Sequence, residues 1–293
     1  MNHPSELALH VLLQSVAAGR ATVSEEILDQ VAADVKAALK KQLSSGPRAG
    51  NFSLRISNLG KPRCQLWFEK NKPEAATPMQ PFFLMQMLIG DVTEAVFKGL
   101  LRAAGVQFSD TETVMLKVAG TEIRGSYDML LDGAVDDIKS ASPWSFKNKF
   151  DSFEHLAEHD SFGYVAQLVA YAKAKGVEVG GWWVVNKSNG EFKYLKAEPD
   201  VEKVMEQIAE TVRYIQSDEP LVRAFEAEDE TFYNKPTGNK VLPEGCHFCA
   251  FKKACWPELQ ELPKLVTRAS TKEGALTEYV YVHPKYRSDS ATA

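Results

Sequence analysis

Apolar residues recur at helical spacing over residues 5–19 and 24–43. In the second stretch Ile27, Leu28, Val31, Val35, Ala38 and Leu39 share one face, with Ser24 placed to cap the first turn. Residues 44–50 break the period and read as a linker, making 1–50 a helical appendage. Ser57 stands where it could cap a short helix bearing Cys64, and residues 73–81, bounded by prolines, form a second connection. Residues 82–104 then predict a long apolar helix closed by Gly105. Its central charge is Glu94, amid Val92, Ala95, Val96 and Phe97. Burying a lone carboxylate is costly, so Glu94 should face a cleft or a partner.

The period then changes to two. Residues 112–118, 122–131 and 134–138 read as strands, turned at Ala119-Gly120 and Asp132-Gly133, and the Asp-Gly pair is a strong hairpin signal. A helix over 162–175 stopped by Gly176, strands over 179–185 and 191–195, and an amphipathic helix over 201–216 follow. This order predicts an α/β core. Residues 218–245, rich in proline and glycine, read as irregular. Beyond 262 lies a polar tail with Tyr279, Tyr281, His283 and Tyr286 placed to dock, ending in a disordered 288–293.

Composition narrows the class. A chain of 293 residues, 44% hydrophobic and 25% charged, is ordinary for a soluble globular protein and can bury a sizeable core. With no apolar run long enough for a bilayer and no secretory pattern at the N-terminus, the expected location is the cytoplasm, with no membrane partner. A net charge of -5 gives no general coat for nucleic acid, so DNA contacts would need a local basic track. Four cysteines are too few for a disulfide scaffold, and Cys246-x-x-Cys249 reads first as a metal clamp and second as a redox pair.

The candidate chemistry gathers around the Asp-Gly hairpin. Asp128 precedes it, and Asp137 and Lys139 alternate onto one face of the strand after it. Two carboxylates beside a lysine could hold magnesium or manganese, activate a water and stabilise charge on a phosphate. The carboxylates should keep Lys139 protonated, in an electrostatic role. Alone, Asp-x-Lys is ordinary surface charge. It becomes more specific with Glu94 upstream and with Gln167 and Tyr171 one helical turn apart downstream. Ser140, Ser142, Ser145, Lys147 and Lys149 could contact phosphates, and Trp144 or Phe146 could stack on a base or pack inward.

This pattern resembles the PD-(D/E)XK nuclease superfamily, in its RecB/AddB-like iron-sulfur exonuclease branch. The matching residues are Gly90 with Glu94, Gly125 with Asp128, Asp137-Ile138-Lys139, and Gln167 with Tyr171. Many members of that branch carry histidine where Glu94 stands. The resemblance implies a mixed central sheet flanked by helices over 51–262, with Glu94, Asp128, Asp137 and the Ile138 carbonyl around Mg2+ or Mn2+. It extends to Cys64 upstream and Cys246, Cys249 and Cys255-Trp-Pro downstream. Four thiolates suit either zinc or a 4Fe-4S cluster. The resemblance selects the iron-sulfur cluster, closing the fold. It implies a metal-dependent DNA exonuclease in phage or bacterial recombination or repair, partnered by DNA and by a helicase, recombination or single-strand-binding protein. A sequence- or structure-specific endonuclease and a non-catalytic DNA-binding subunit are the alternatives.

Overall fold

The computed structural model describes residues 3–44, 52–266 and 276–287. Most of the expected linker and all of the expected disordered terminus lie outside them.

Helix α1 (Pro4–Ala17) begins on a proline, whose missing N–H is not needed in a first turn. In α2 (Glu25–Leu43) Ser24 caps Ile27 N–H, with Glu25 and Glu26 in the first turn and Lys40 and Lys41 in the last, matching the helix dipole. Helix α3 (Arg63–Asn71) carries Cys64, but its cap position is Pro62. Ser57 lies in a separate turn at Ile56–Asn58, which corrects the expected cap. Helix α4 (Pro81–Ala103) is followed by Gly105 at φ 76°. Next come β1 (Phe108–Ser109), β2 (Glu112–Val118), β3 (Thr121–Tyr127), β4 (Met129–Leu131) and β5 (Ala134–Ala141). After them run α5 (Phe153–Glu158), α6 (Tyr164–Lys175), β6 (Glu178–Asn186), β7 (Phe192–Lys196) and α7 (Val201–Gln216). The chain continues through β8 (Glu228–Phe232), β9 (Lys235–Val241), α8 (Lys252–Cys255), β10 (Gln260–Pro263) and β11 (Leu276–Tyr281). Among the described residues, no helix is long and apolar enough to cross a membrane.

The chain divides into two compact units, Met1–Lys61 with Met79–Gln216, and Pro62–Pro78 with Ser217–Ala293. The larger is an α/β unit around a five-stranded sheet, β1-β4-β5-β6-β7. Strands β5 and β6 are parallel and the other pairs antiparallel, so the sheet is mixed. Alternation sends Val135, Trp182 and Val184 into one core with Leu168 and Tyr171 of α6 and Ile208 and Val212 of α7. Met129, Leu131, Ile138 and Trp183 enter a second core with Leu9 of α1 and Phe97 and Leu101 of α4. Helices therefore cover both faces, as a sheet apolar on both sides requires. Strands β2 and β3 form a separate two-stranded ribbon.

In the smaller unit β10-β11-β9-β8 form a four-stranded antiparallel sheet. Residues 218–245 are thus not wholly irregular. They contain the β8–β9 hairpin, whose turn residues Tyr233 and Asn234 take φ 50° and 60° without a glycine to announce it. Tyr279 of the expected tail is fully buried, and its hydroxyl donates to Glu230 at 2.8 Å.

The four-cysteine closure expected from the resemblance is corrected. Among the described residues, no group of three or more His, Cys, Asp or Glu side chains is arranged to hold a metal ion. Cys64, Cys246, Cys249 and Cys255 all lie in the smaller unit as free thiols. Cys246 and Cys255 serve as core residues beside Phe68, Leu242, Phe251 and Trp256, with Cys249 packed against them. The hydrogen bond from Cys255 lowers the Cys64 thiol to about 6 and raises that of Cys255. Thiol pairing and apolar packing stand where four converging ligands were expected, for 4Fe-4S and for zinc alike. His247 is turned to the Leu242 carbonyl at 3.1 Å. Lys252 and Lys253 are ion-paired with Glu278 at 2.5 Å and Glu261 at 3.0 Å.

Candidate functional site

Residues 122–131 read as one strand, but the backbone breaks at Asp128. There Asp128 Oδ2 accepts the Ile138 N–H of β5, ten residues on, at 3.0 Å, so a side chain takes a main-chain donor at the break. Thr111 Oγ1 donates to the Asp128 carbonyl at 3.1 Å. Upstream, β3 pairs with β2, and downstream β4 pairs with β5 through the Asp132-Gly133 turn. Asp128 is thereby held beside the middle of β5.

A bulge lies between β5 and β6. Strand β6 advances from Val179 to Trp182 while β5 advances only from Val135 to Asp137. Such bulges redirect side chains next to working sites. Asp136 fills this one. Its Oδ1 accepts from Gly181 N at 2.8 Å and Tyr194 Oη at 3.0 Å, and its Oδ2 from Trp183 Nε1 at 3.0 Å. Gly180 permits the approach, because a Cβ there would lie 2.7 Å from the Val135 carbonyl oxygen. Burial pushes the Asp136 carboxyl up to about 7, against the pull of those three donors. Asp136 is an anchor between strands, a part the sequence did not suggest.

Asp137 and Lys139 share the other face of β5. Lys139 Nζ stands 2.5 Å from Asp137 Oδ2 and 2.7 Å from Oδ1. Burial drives the Asp137 carboxyl up to about 7, with Lys139 opposing and Asp128 and Glu94 adding to the rise. Burial by itself would lower Lys139, but the charges of Asp137 and Asp128 outweigh it and raise the ammonium above its ordinary value. Glu94 arrives from α4, one turn before Lys98, whose Nζ is 2.7 Å from Glu94 Oε1 and 2.9 Å from Thr111 Oγ1. The Glu94 carboxyl is raised first by burial and then by Asp128. Glu94 and Asp128 line a cleft of about 550 Å³ with Asp34, Asp91, Lys98 and Ser126.

Helix α6 adds the expected downstream pair. Gln167 hydrogen-bonds the Tyr171 phenol, which burial pushes up and the nearby Asp128 and Asp137 charges raise further. Tyr171 is a core side chain, and its Cε1 would lie 2.7 Å from a Cβ at Gly125. A Cβ at Gly90 would meet Ser140 Oγ at 3.7 Å, an ordinary contact, so α4 passes β5 there without needing a glycine. Past β5, Ser142 Oγ accepts from Ser145 N at 3.2 Å to open the turn Ser145–Lys149. In that segment Phe146 packs inward under Lys193, Trp144 is 59% exposed, and Lys147 is exposed. Lys149, expected at the surface, is buried.

Four groups named from the sequence thus come together: Glu94, Asp128, Asp137 and Lys139. The expected Mg2+ or Mn2+ shell of Glu94, Asp128, Asp137 and Ile138 is corrected, because no such metal-holding group occurs among the described residues. Each carboxylate has another occupant: Lys98 on Glu94, the Ile138 N–H on Asp128, and Lys139 on Asp137. Ile138 meets the site through its N–H. The metal-binding and iron-sulfur assignments therefore do not fit these side chains. Of the residues that sequence reasoning passed over, Lys98 carried a signal in its Glu94 i,i+4 spacing. Tyr164 was also passed over, and like Asp136 and Lys149 it acquires its role only through the sheet and the turn after it.

No family model matches the sequence, and no curated protein does. Among solved structures, the crystal structure of SSO0001 aligns over 77% of this chain and 95% of its own, with a TM-score of 0.44 and 15% identity. A likeness of that depth carries no functional argument. The class defined by fold and site is an α/β protein with a mixed, helix-flanked sheet and an acidic cleft lined by Glu94 and Asp128.

Proposed function

We propose that the larger unit is a DNA nuclease of the PD-(D/E)XK type, hydrolysing phosphodiester bonds from strand ends in recombination or repair. The observation that carries this reading is the meeting of Glu94, Asp128, Asp137 and Lys139 from α4, the β3–β4 break and β5. Three ionised carboxylates would repel a phosphate. Burial raises both Glu94 and Asp137, however, and Lys98 and Lys139 sit against them, so the site is less negative than its formula. A phosphate could then approach the Lys139 ammonium, which would stabilise charge developing on its non-bridging oxygens. Water attacks phosphorus in line, its proton passes to a carboxylate, and the sugar oxygen departs with the bonding pair. A carboxyl near 7 is well poised for that proton.

The engagement of every carboxylate also favours a second reading, a DNA-binding relative that does not cleave. End-labelled linear and circular DNA, incubated in buffers with magnesium, manganese or EDTA, separates the two. Cleavage of linear DNA by wild type and not by Lys139→Met or Asp128→Asn supports the exonuclease. Cleavage of circles points to an endonuclease. Binding with no cleavage in any buffer supports the second reading. Equal cleavage by wild type and both variants rejects the site.

A further inference from the structure

The ring of Tyr164, the first residue of α6, brings together side chains that no sequence spacing connects. Lys139 Nζ lies 5.1 Å from the ring centroid and Lys149 Nζ 4.8 Å. Phe150 and Phe162 stack with the same ring at 6.0 Å and 5.7 Å. Lys149 is only 7% exposed and also lies 5.1 Å from the Phe162 centroid, so its cation stands within an aromatic group. The backbone holds the ring in place. Tyr164 N donates to Asp160 Oδ1 at 2.9 Å, and Gly163 before it takes φ 75°. Lys149 is delivered by the π-helical turn Ser145–Lys149.

A lysine ammonium is a point charge on a flexible stem and needs neighbours to fix it. Asp137 fixes Lys139 from one side, and the negative face of an aromatic ring attracts a cation from another. Lys149, a like charge at the same ring, competes with Lys139 for its negative face. We propose that Tyr164 is a positioning residue, its ring holding the Lys139 ammonium against Asp137. The catalytic consequence rests on the nuclease reading; the positional claim does not.

Limited acetylation at fixed pH, read by peptide mass spectrometry, measures how tightly Lys139 is held, with the 79%-exposed side chain of Lys117 as internal reference. Tyr164→Leu should raise Lys139 labelling about fivefold, the size of one cation–π contact. Tyr164→Phe, which keeps the ring, should restore slow labelling. Lys149→Met removes a competing like charge and should slow Lys139 labelling about twofold. In a cleavage assay Tyr164→Leu should lower kcat about tenfold with KM little changed. Melting curves establish that each variant is folded. If Tyr164→Leu does not fold, Tyr164→Met takes its place and decides. Unchanged Lys139 labelling in every folded variant among these overturns the proposal. Altered labelling in a protein that never cleaves DNA upholds it and rejects the nuclease reading instead.

Discussion

Lys139 Nζ touches both oxygens of Asp137, at 2.5 Å and 2.7 Å, so two residues of one strand face form a closed ion pair. Removing the lysine leaves a buried carboxylate without its cation. Lys139→Met should lower DNA cleavage by about a hundredfold or more. It should also cost about 3 kcal/mol of stability. Asp137→Leu added to it should recover much of that stability and none of the activity. Urea denaturation of the singles and the double, with cleavage rates, checks both statements.

The pH profile has a definite sign. A carboxyl raised to about 7 is protonated below that value and cannot accept a proton from water. The logarithm of kcat/KM should climb with a slope near one up to about pH 7 and level above it. Lys139 is raised, so it stays charged through neutrality and adds no falling limb there. Lys139→Met removes a cation from beside Asp137 and should move the limb to higher pH. A flat profile between pH 5 and 8 would falsify the assignment of Asp137.

Asp136 tests linkage in the same strand. Its folded value near 7 exceeds the unfolded 3.8, so the fold binds the proton more tightly. Its stabilising share is fully present below pH 3.8 and lost as pH rises through about 7. Asp136→Asn should flatten the melting temperature over that window. It should also lower stability by about 1–3 kcal/mol, because an amide nitrogen would face the Trp183 or Gly181 donor.

Packing sets a fourth expectation. A Cβ at Gly125 would lie 2.6 Å from Ile56 Cβ and 2.7 Å from Tyr171 Cε1. Gly125→Ala should cost about 1–3 kcal/mol by overpacking and displace Tyr171 from Gln167. Denaturant midpoints measure the cost, and Tyr171→Phe separates packing from the lost hydrogen bond.

In the smaller unit Glu230 gathers Thr237 Oγ1, Asn239 Nδ2 and Tyr279 Oη, each at 2.8 Å. Glu230→Ala strands three buried donors and should cost about 3 kcal/mol or more. Hydrogen exchange should show the loss in β8, β9 and β11, while Glu230→Gln retains part of the network.

Periodicity was a good guide where a helix has one apolar face and clear ends. Residues 201–216 are helical as expected, and Ser24 caps α2. The Asp132-Gly133 turn was legible because two positive φ values demand such residues. Tyr233-Asn234 makes the same turn with no glycine, so β8 and β9 were missed. The break at Asp128 was hidden as well, since the donor that causes it is the Ile138 N–H ten residues on.

By itself the sequence determined the alternation of helix and strand and the shared face of Asp137 and Lys139, because these follow from periods of 3.6 and 2 along a single segment. Only the tertiary structure decided which groups meet. It put Asp136 into the Gly180-Gly181 bulge, Lys98 onto Glu94, Lys139 and Lys149 onto one tyrosine ring, and the four cysteines among core side chains of the smaller unit. A residue's chemistry depends on charge, burial and partners within a few ångströms, and those partners come from distant parts of the chain. Spacing along one strand can orient a carboxylate, but what then stands opposite is set by packing.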